Sequence, residues 1–135
     1  LDVGFPKENI ILIGTRIFTK EEKDFLDLLD IKRYGMKDLN DYQEICDIIM
    51  ELSRENEIYL SIDIDVVDGS FVPGTSRPES AGFTARQLIY FIQRLSLLRN
   101  LRAVSLSEIN INKDINLQTV KLGSKILGEV LGNKK

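Results

Sequence analysis

Short apolar runs alternate with segments of helical periodicity along nearly the whole of this 135-residue chain, and that alternation narrows the available folds more than any other feature. Ile10-Ile11-Leu12-Ile13 is a continuous apolar run ending at Gly14, which suits a strand buried on both faces. Thr19, with Glu22 three residues on, spells a capping box for a short charged helix. Leu39, Tyr42, Ile45, Ile49 and Leu52 fall at helical spacing, so 38–53 reads as an amphipathic helix. The second strand is Ile58-Tyr59-Leu60-Ser61-Ile62, followed by a Gly-, Pro- and Ser-rich loop from Asp65 to Gly82. Thr84 and Gln87 form another capping box, and Leu88, Phe91, Ile92, Leu95 and Leu98 supply the stripe of the helix it opens. Leu101 to Leu106 reads as a third strand, and Leu117, Val120, Ser124, Leu127 and Leu131 mark a final helix.

Strands joined by crossover-length helices pair in parallel. The expectation is therefore an α/β fold in which 10–13, 58–62 and 102–106 lie parallel in one sheet, with helices near 38–53, 84–99 and 116–131. In such sheets ligands gather beyond the carboxyl ends of the strands. Those ends are where this chain concentrates its acids.

Composition removes several classes of function. The chain contains no histidine, which excludes most zinc sites, His-based triads and imidazole general bases. A net charge of −3, with no stripe of Lys or Arg, argues against a nucleic-acid partner. No apolar stretch approaches the length of a membrane span. A lone cysteine, Cys46, excludes an internal disulfide and fits a reducing, cytoplasmic setting. The chain opens at Leu1, in sequence that reads as the approach to a strand. That fits a fragment of a longer protein, or a starting Met removed by processing.

The richest stretch is Leu60-Ser61-Ile62-Asp63-Ile64-Asp65-Val66-Val67-Asp68. Side chains alternate across a strand, so Asp63 and Asp65 are expected on one side, with Ile62 and Ile64 on the other. Two neighbouring carboxylates repel unless a cation or hydrogen-bond donors compensate. Hard carboxylate oxygens suit magnesium, manganese or calcium. Taken alone, the triplet fits equally a pair of acids that begin a solvated loop and cap its turns.

The context is more specific. Ser61-x-Asp63-x-Asp65-x-x-Asp68, then Pro73-Gly74-Thr75, Pro78-Glu79 and Gly82-Phe83-Thr84, resembles in order and spacing the signature of the ureohydrolases, the arginase and agmatinase family. Leu12-Ile13-Gly14-Thr15-Arg16 resembles that family's Ile-Gly-x-Arg strand end. Val104-Ser105-Leu106-Ser107-Glu108-Ile109-Asn110 is similar to its later strand, which closes on an acid. The resemblance covers nearly the whole chain and leans towards agmatinase-like members at Pro73-Gly74-Thr75. It implies a three-layer α/β/α fold with a parallel sheet, of which residues 1–135 would be the carboxyl-terminal part of a single domain and the amino-terminal half would be absent. It implies a cofactor of two manganese ions, with Asp63 and Asp65 as metal ligands. It further implies that Glu108 binds the guanidinium of a small guanidino substrate of the agmatine or arginine type, which is hydrolysed to urea and an amine. Homo-oligomers, trimers or hexamers, follow from the same resemblance.

Departures from the family pattern fall mostly in the loop, with one beyond it at Asn110-Ile111, where a Pro often follows. Gly69 stands where Pro is usual, Ser76-Arg77 where Gly-Thr is usual, and Ala81 where the first of two glycines is usual. Arg77 would repel a cationic substrate. The family's histidines and further aspartates lie in its amino-terminal half, so this chain is expected to carry half a site and to be inactive alone. Two alternatives stay open. One is a non-catalytic subunit or remnant of the family. The other is a haloacid-dehalogenase-like phosphatase, whose nucleophile motif is similar to Asp63-Ile64-Asp65-Val66 but which explains neither Pro73-Gly74-Thr75 nor Gly82-Phe83-Thr84.

Overall fold

A computed structural model describes residues 4–132. Two compact units divide the chain, Leu1–Asp41 and Tyr42–Lys135.

In the first unit a strand, β1 (Ile11–Thr15), leads through a helix, α1 (Lys20–Leu28), to a second strand, β2 (Lys32–Gly35). The strands pair in parallel, Ile11 opposite Lys32 and Ile13 opposite Tyr34, with a register shift between Ile13 and Thr15. Gly14 sits at that shift with φ 75, backbone that glycine adopts without a Cβ penalty. The Thr19 capping box forms in full, since the Thr19 hydroxyl accepts from the Glu22 N–H and the Glu22 carboxylate accepts from the Thr19 N–H. Arg33 on β2 pairs with Asp27 on α1.

Two expectations are corrected here. Ile11, Leu12 and Ile13 are half-buried rather than enclosed on both faces, and α1 buries none of its residues. Lys32-Arg33-Tyr34-Gly35 has no apolar run and gave no strand signal; backbone pairing with β1 makes it a strand. The described ladders accordingly form two parallel pairs, not the single sheet expected of 10–13, 58–62 and 102–106.

The helix expected over 38–53 is broken. A 3-10 segment, Met36–Asp41, precedes α2 (Tyr42–Leu52), and Leu39 within that segment has a non-helical ψ of 22.

In the second unit the chain runs α2, β3 (Ile58–Asp63), α3 (Ala85–Leu95), β4 (Leu101–Ser107) and α4 (Gln118–Gly132). β3 and β4 pair in parallel, with Leu60 opposite Val104, Ile62 opposite Leu106 and Asp63 opposite Ser107. The pleat separates two faces. Ile62 is buried, whereas Tyr59 is 53% exposed. The exposed side carries hydroxyls, Tyr59 Oη lying 2.8 Å from Ser105 Oγ. α4 covers the apolar side through Gly123, where an added Cβ would stand 2.7 Å from Ile109 and 3.2 Å from Leu106.

The Thr84 capping box also forms in full. Behind it Leu88, Ile89, Phe91, Ile92 and Leu95 are buried, and Phe83 packs edge-on against Phe91 with centroids 5.3 Å apart. Tyr42 at the start of α2 makes the same kind of contact with Tyr90 at 5.4 Å. Arg94 on α3 pairs with Asp47 on α2. Burial holds the Cys46 thiol up at about 11, so it is an inert apolar side chain of this core. No helix among the described residues is long and apolar enough to cross a membrane.

Candidate active site

Parallel pairing brings the carboxyl ends of β3 and β4 to one edge. β3 ends on Asp63, Asp63 faces Ser107 across the ladder, and Glu108 is the next residue after Ser107. The three acids singled out in the sequence therefore come from two adjacent strand ends.

The local geometry of the pair differs from simple alternation. β3 stops at Asp63, and Ile64–Val66 is a 3-10 turn. The Asp63 carboxylate caps that turn, its Oδ1 accepting the Asp65 N–H at 2.9 Å. An Asp at this position offers the backbone a closer partner than the next ladder bond, which is the usual way an Asx turn ends a strand. Burial keeps the alternation for one more step, with Ile62 at 4% and Ile64 at 0% exposure. Asp65 is half-buried and its Oδ1 is a buried atom.

Glu108 is exposed and holds φ 65. A non-glycine residue in the left-handed region costs about 1–2 kcal/mol and persists only where its surroundings impose it. The imposing contacts lie on both sides of the next two residues. Ile109 bridges Thr75 in antiparallel fashion, and the Asn110 N–H donates to the Gly74 carbonyl at 2.7 Å.

The loop from Asp68 to Phe83 is closed at its base. Asp68 N–H donates to the Phe83 carbonyl at 2.8 Å, and Phe83 N–H donates to the Val66 carbonyl at 3.0 Å. The Asp68 carboxylate gathers donors from both arms, namely Ser70 N–H, Ser70 Oγ and Ala81 N–H. The Ser70 hydroxyl and N–H, helped by the Ala81 and Gly82 amides, hold this carboxyl below the ordinary Asp range against an opposing desolvation.

The departures from the family pattern have local causes. Gly69 N–H donates to the Glu79 carbonyl at 2.9 Å, a bond Pro cannot make, and a Cβ there would stand 3.0 Å from Pro78. Ala81 takes φ 60, the conformation that a glycine would hold without strain. Arg77 is exposed. Lys113 Nζ donates to the Ser76 carbonyl at 3.2 Å, so a second cation rests against the same loop.

Sequence reasoning missed Asp114 and Thr119. Asp114 accepts from the N–H groups of Ile115, Thr119 and Val120. Desolvation raises its pKa, but those amides and the Thr119 hydroxyl outweigh it and the carboxyl lies below the ordinary range. Thr119 Oγ1 in turn accepts the Gly74 N–H at 2.8 Å. Five residues separate the acid from the threonine, a spacing with no local motif to announce it. Thr75 is fully buried, and its Oγ1 has no hydrogen-bond partner among the described residues.

For a metal, the donor type and the donor number disagree. Asp63 and Asp65 offer hard carboxylate oxygens of the kind that suit manganese. Among the described residues, however, no three His, Cys, Asp or Glu side chains gather where they could hold a metal ion. These residues do not by themselves fit a two-ion centre.

An α/β fold with acids at the carboxyl ends of adjacent parallel strands defines a class of sites, and comparison with known proteins narrows it. The arginase family model matches residues 2–132, and the chain belongs to the arginase family. It is 28% identical over 130 residues to an arginase of Staphylococcus aureus (strain MRSA252), covering 93% of this chain and 43% of that protein. It is 30% identical over 108 residues to an arginase of Plasmodium berghei, covering 76% and 30% respectively. The fold superposes on the arginase of Bacillus caldovelox with a TM-score of 0.89 at 25% identity, covering 93% of this chain and 44% of that one. Formimidoylglutamase from Bacillus subtilis shares the fold, with a TM-score of 0.86 at 18% identity and coverage of 94% and 41%. The chain spans less than half the length of each of these relatives.

Proposed function

We propose that residues 1–135 contribute the carboxyl-terminal part of a single-domain, manganese-dependent hydrolase that converts a guanidino compound to urea and an amine, and that they are inactive alone. One observation carries this reading: Asp63 ends β3 directly across the ladder from Ser107, the last residue of β4, and Glu108 comes immediately after it. Asp63 and Asp65 would act as metal ligands, with the remaining ligands supplied from outside this chain. Manganese, when bound, supplies activation of the attacking water. Glu108 would accept charge-assisted hydrogen bonds from the planar guanidinium and so orient its carbon. The chain has no histidine, so another segment must protonate the departing amine.

Charge bears on the substrate. Arg77 is on the loop and the Lys113 ammonium, from the segment after β4, rests against it at Ser76, which disfavours a substrate cationic at both ends, such as agmatine, and favours one ending in a carboxylate, such as arginine. A homo-oligomer in the cytoplasm fits the family reading.

The test has two arms. In the complete protein, Asp63→Ala and Asp65→Ala should each abolish tight manganese binding by calorimetry. The homogeneous 135-residue chain should release no urea from agmatine or arginine at any manganese concentration. Urea from that chain would overturn the half-site reading, and tight binding retained in both variants would remove the two aspartates from it.

A further inference from the structure

We infer that Thr119, in the first turn of α4, and Asp114, in the segment before it, are positioning residues for Glu108, acting through Gly74; this rests on the reading of Glu108 as the acid that holds the guanidinium. The connection is a chain of short contacts between segments distant in sequence. Asp114 accepts from the backbone of Thr119 and Val120, each at 3.0 Å, which fixes the first turn of α4 against it. Thr119 Oγ1 in turn accepts the Gly74 N–H at 2.8 Å. The Gly74 carbonyl accepts from Asn110 at 2.7 Å, and Thr75 bridges Ile109. The residue immediately before that doubly held pair is Glu108, with its left-handed φ of 65.

Packing makes the connection stiff. A Cβ on Gly74 would stand 2.7 Å from both Cβ and Cγ of Asp114 and 2.8 Å from Thr119 Oγ1. Nothing but glycine lets the loop backbone lie this close. Thr119 is fully buried, so no water replaces its hydroxyl, and losing it leaves the Gly74 N–H without a partner. Glu108 itself is exposed. Its backbone conformation is therefore set by this latch on its far side and by β4 on its near side.

Thr119→Val keeps the shape and removes the hydroxyl; Thr119→Ser restores it. In the complete protein, T119V should lose amide-exchange protection at Gly74 and Asn110 while α3 keeps its protection, and T119S should keep both. In the same protein, T119V should raise KM for the guanidino substrate by about tenfold, a decade short of the roughly 10²-fold that a 1 Å misplacement can cost, with manganese content unchanged and with T119S close to the parent. Should T119V fail to fold, Asp114→Asn weakens the hold on Thr119 and is read in the same way. Unchanged protection at Gly74 and Asn110 overturns the latch. Lost protection with an unchanged KM overturns the positioning of Glu108, provided that Glu108→Gln does raise KM. An E108Q protein with normal KM removes the role of Glu108, and the positioning inference falls with it.

Discussion

Aspartates 68 and 114 do their work as hydrogen-bond acceptors for backbone amides, and both are held below their ordinary pKa. The sign of the resulting pH dependence follows from that direction. A folded-state pKa below the unfolded value stabilises the fold fully above the ordinary Asp value of 3.8, and the contribution is lost as pH falls through the depressed one. Thermal melts between pH 6 and pH 2 should therefore hold steady down to the ordinary Asp range and fall below it. Asp68→Asn and Asp114→Asn should each flatten part of that fall. A variant whose melting temperature tracks the parent at every pH would show that the amides do not favour the ionised form. Gly74→Ala belongs to the same scale: its Cβ would meet Asp114 at 2.7 Å, and overpacking of this kind costs about 1–3 kcal/mol.

The helices are anchored very unequally. α3 buries five residues behind its capping box, whereas α1 buries none behind an equally complete one. Nine-residue helices are marginal in water without tertiary packing, so α1 depends on its cap and on the Arg33–Asp27 pair. Amides of α1 should exchange much faster than those of α3. Thr19→Ala, which costs about 1 kcal/mol at a typical cap, should drive α1 to near-complete fraying and leave the protection of α3 untouched. Equal protection of the two helices would mean that α1 is held by something other than its cap and that ion pair. Thr84 repeats the motif in a packed setting, and there the cap contributes to a helix that burial already secures.

At the level of the whole molecule, the described strands form two parallel pairs and no larger sheet. Parallel strands are ordinarily covered on both faces, and two-stranded sheets are marginal alone. Leu101, Val104, Leu127, Val130 and Leu131 line a shallow apolar groove between β4 and α4, and Leu131 is 73% exposed. Open strand edges beside exposed apolar surface invite association. The 135-residue chain, purified alone, should therefore be oligomeric or poorly soluble. Light scattering that reports a monomer, together with a single cooperative melt, would mark it instead as an autonomous domain.

What was legible in the residues is what depends on local chemistry. Both capping boxes stood in the sequence because their partners are three residues apart. β3, β4 and α3 stood there because burial imposes a period on neighbouring side chains, and the acidic motif carried the family resemblance. For α4 the stripe Leu117, Val120, Ser124, Leu127 and Leu131 is corrected, because the helix buries Thr119, Gly123, Ile126 and Val130 and leaves Leu117, Leu127 and Leu131 exposed. Tertiary structure decided the rest. β2 is a strand because β1 lends it a ladder, since Lys32-Arg33-Tyr34-Gly35 has no periodic signal of its own. Asp65 leaves the extended backbone because the Asp63 carboxylate reaches its N–H, so strand alternation could not place it. The hold on Glu108 runs from Asp114 through Thr119 to Gly74, across 45 residues of sequence at the Thr119–Gly74 hydrogen bond. A contact of that kind leaves no spacing to read: it exists only once the chain has folded and Gly74, lacking a side chain, lets two loops close on each other.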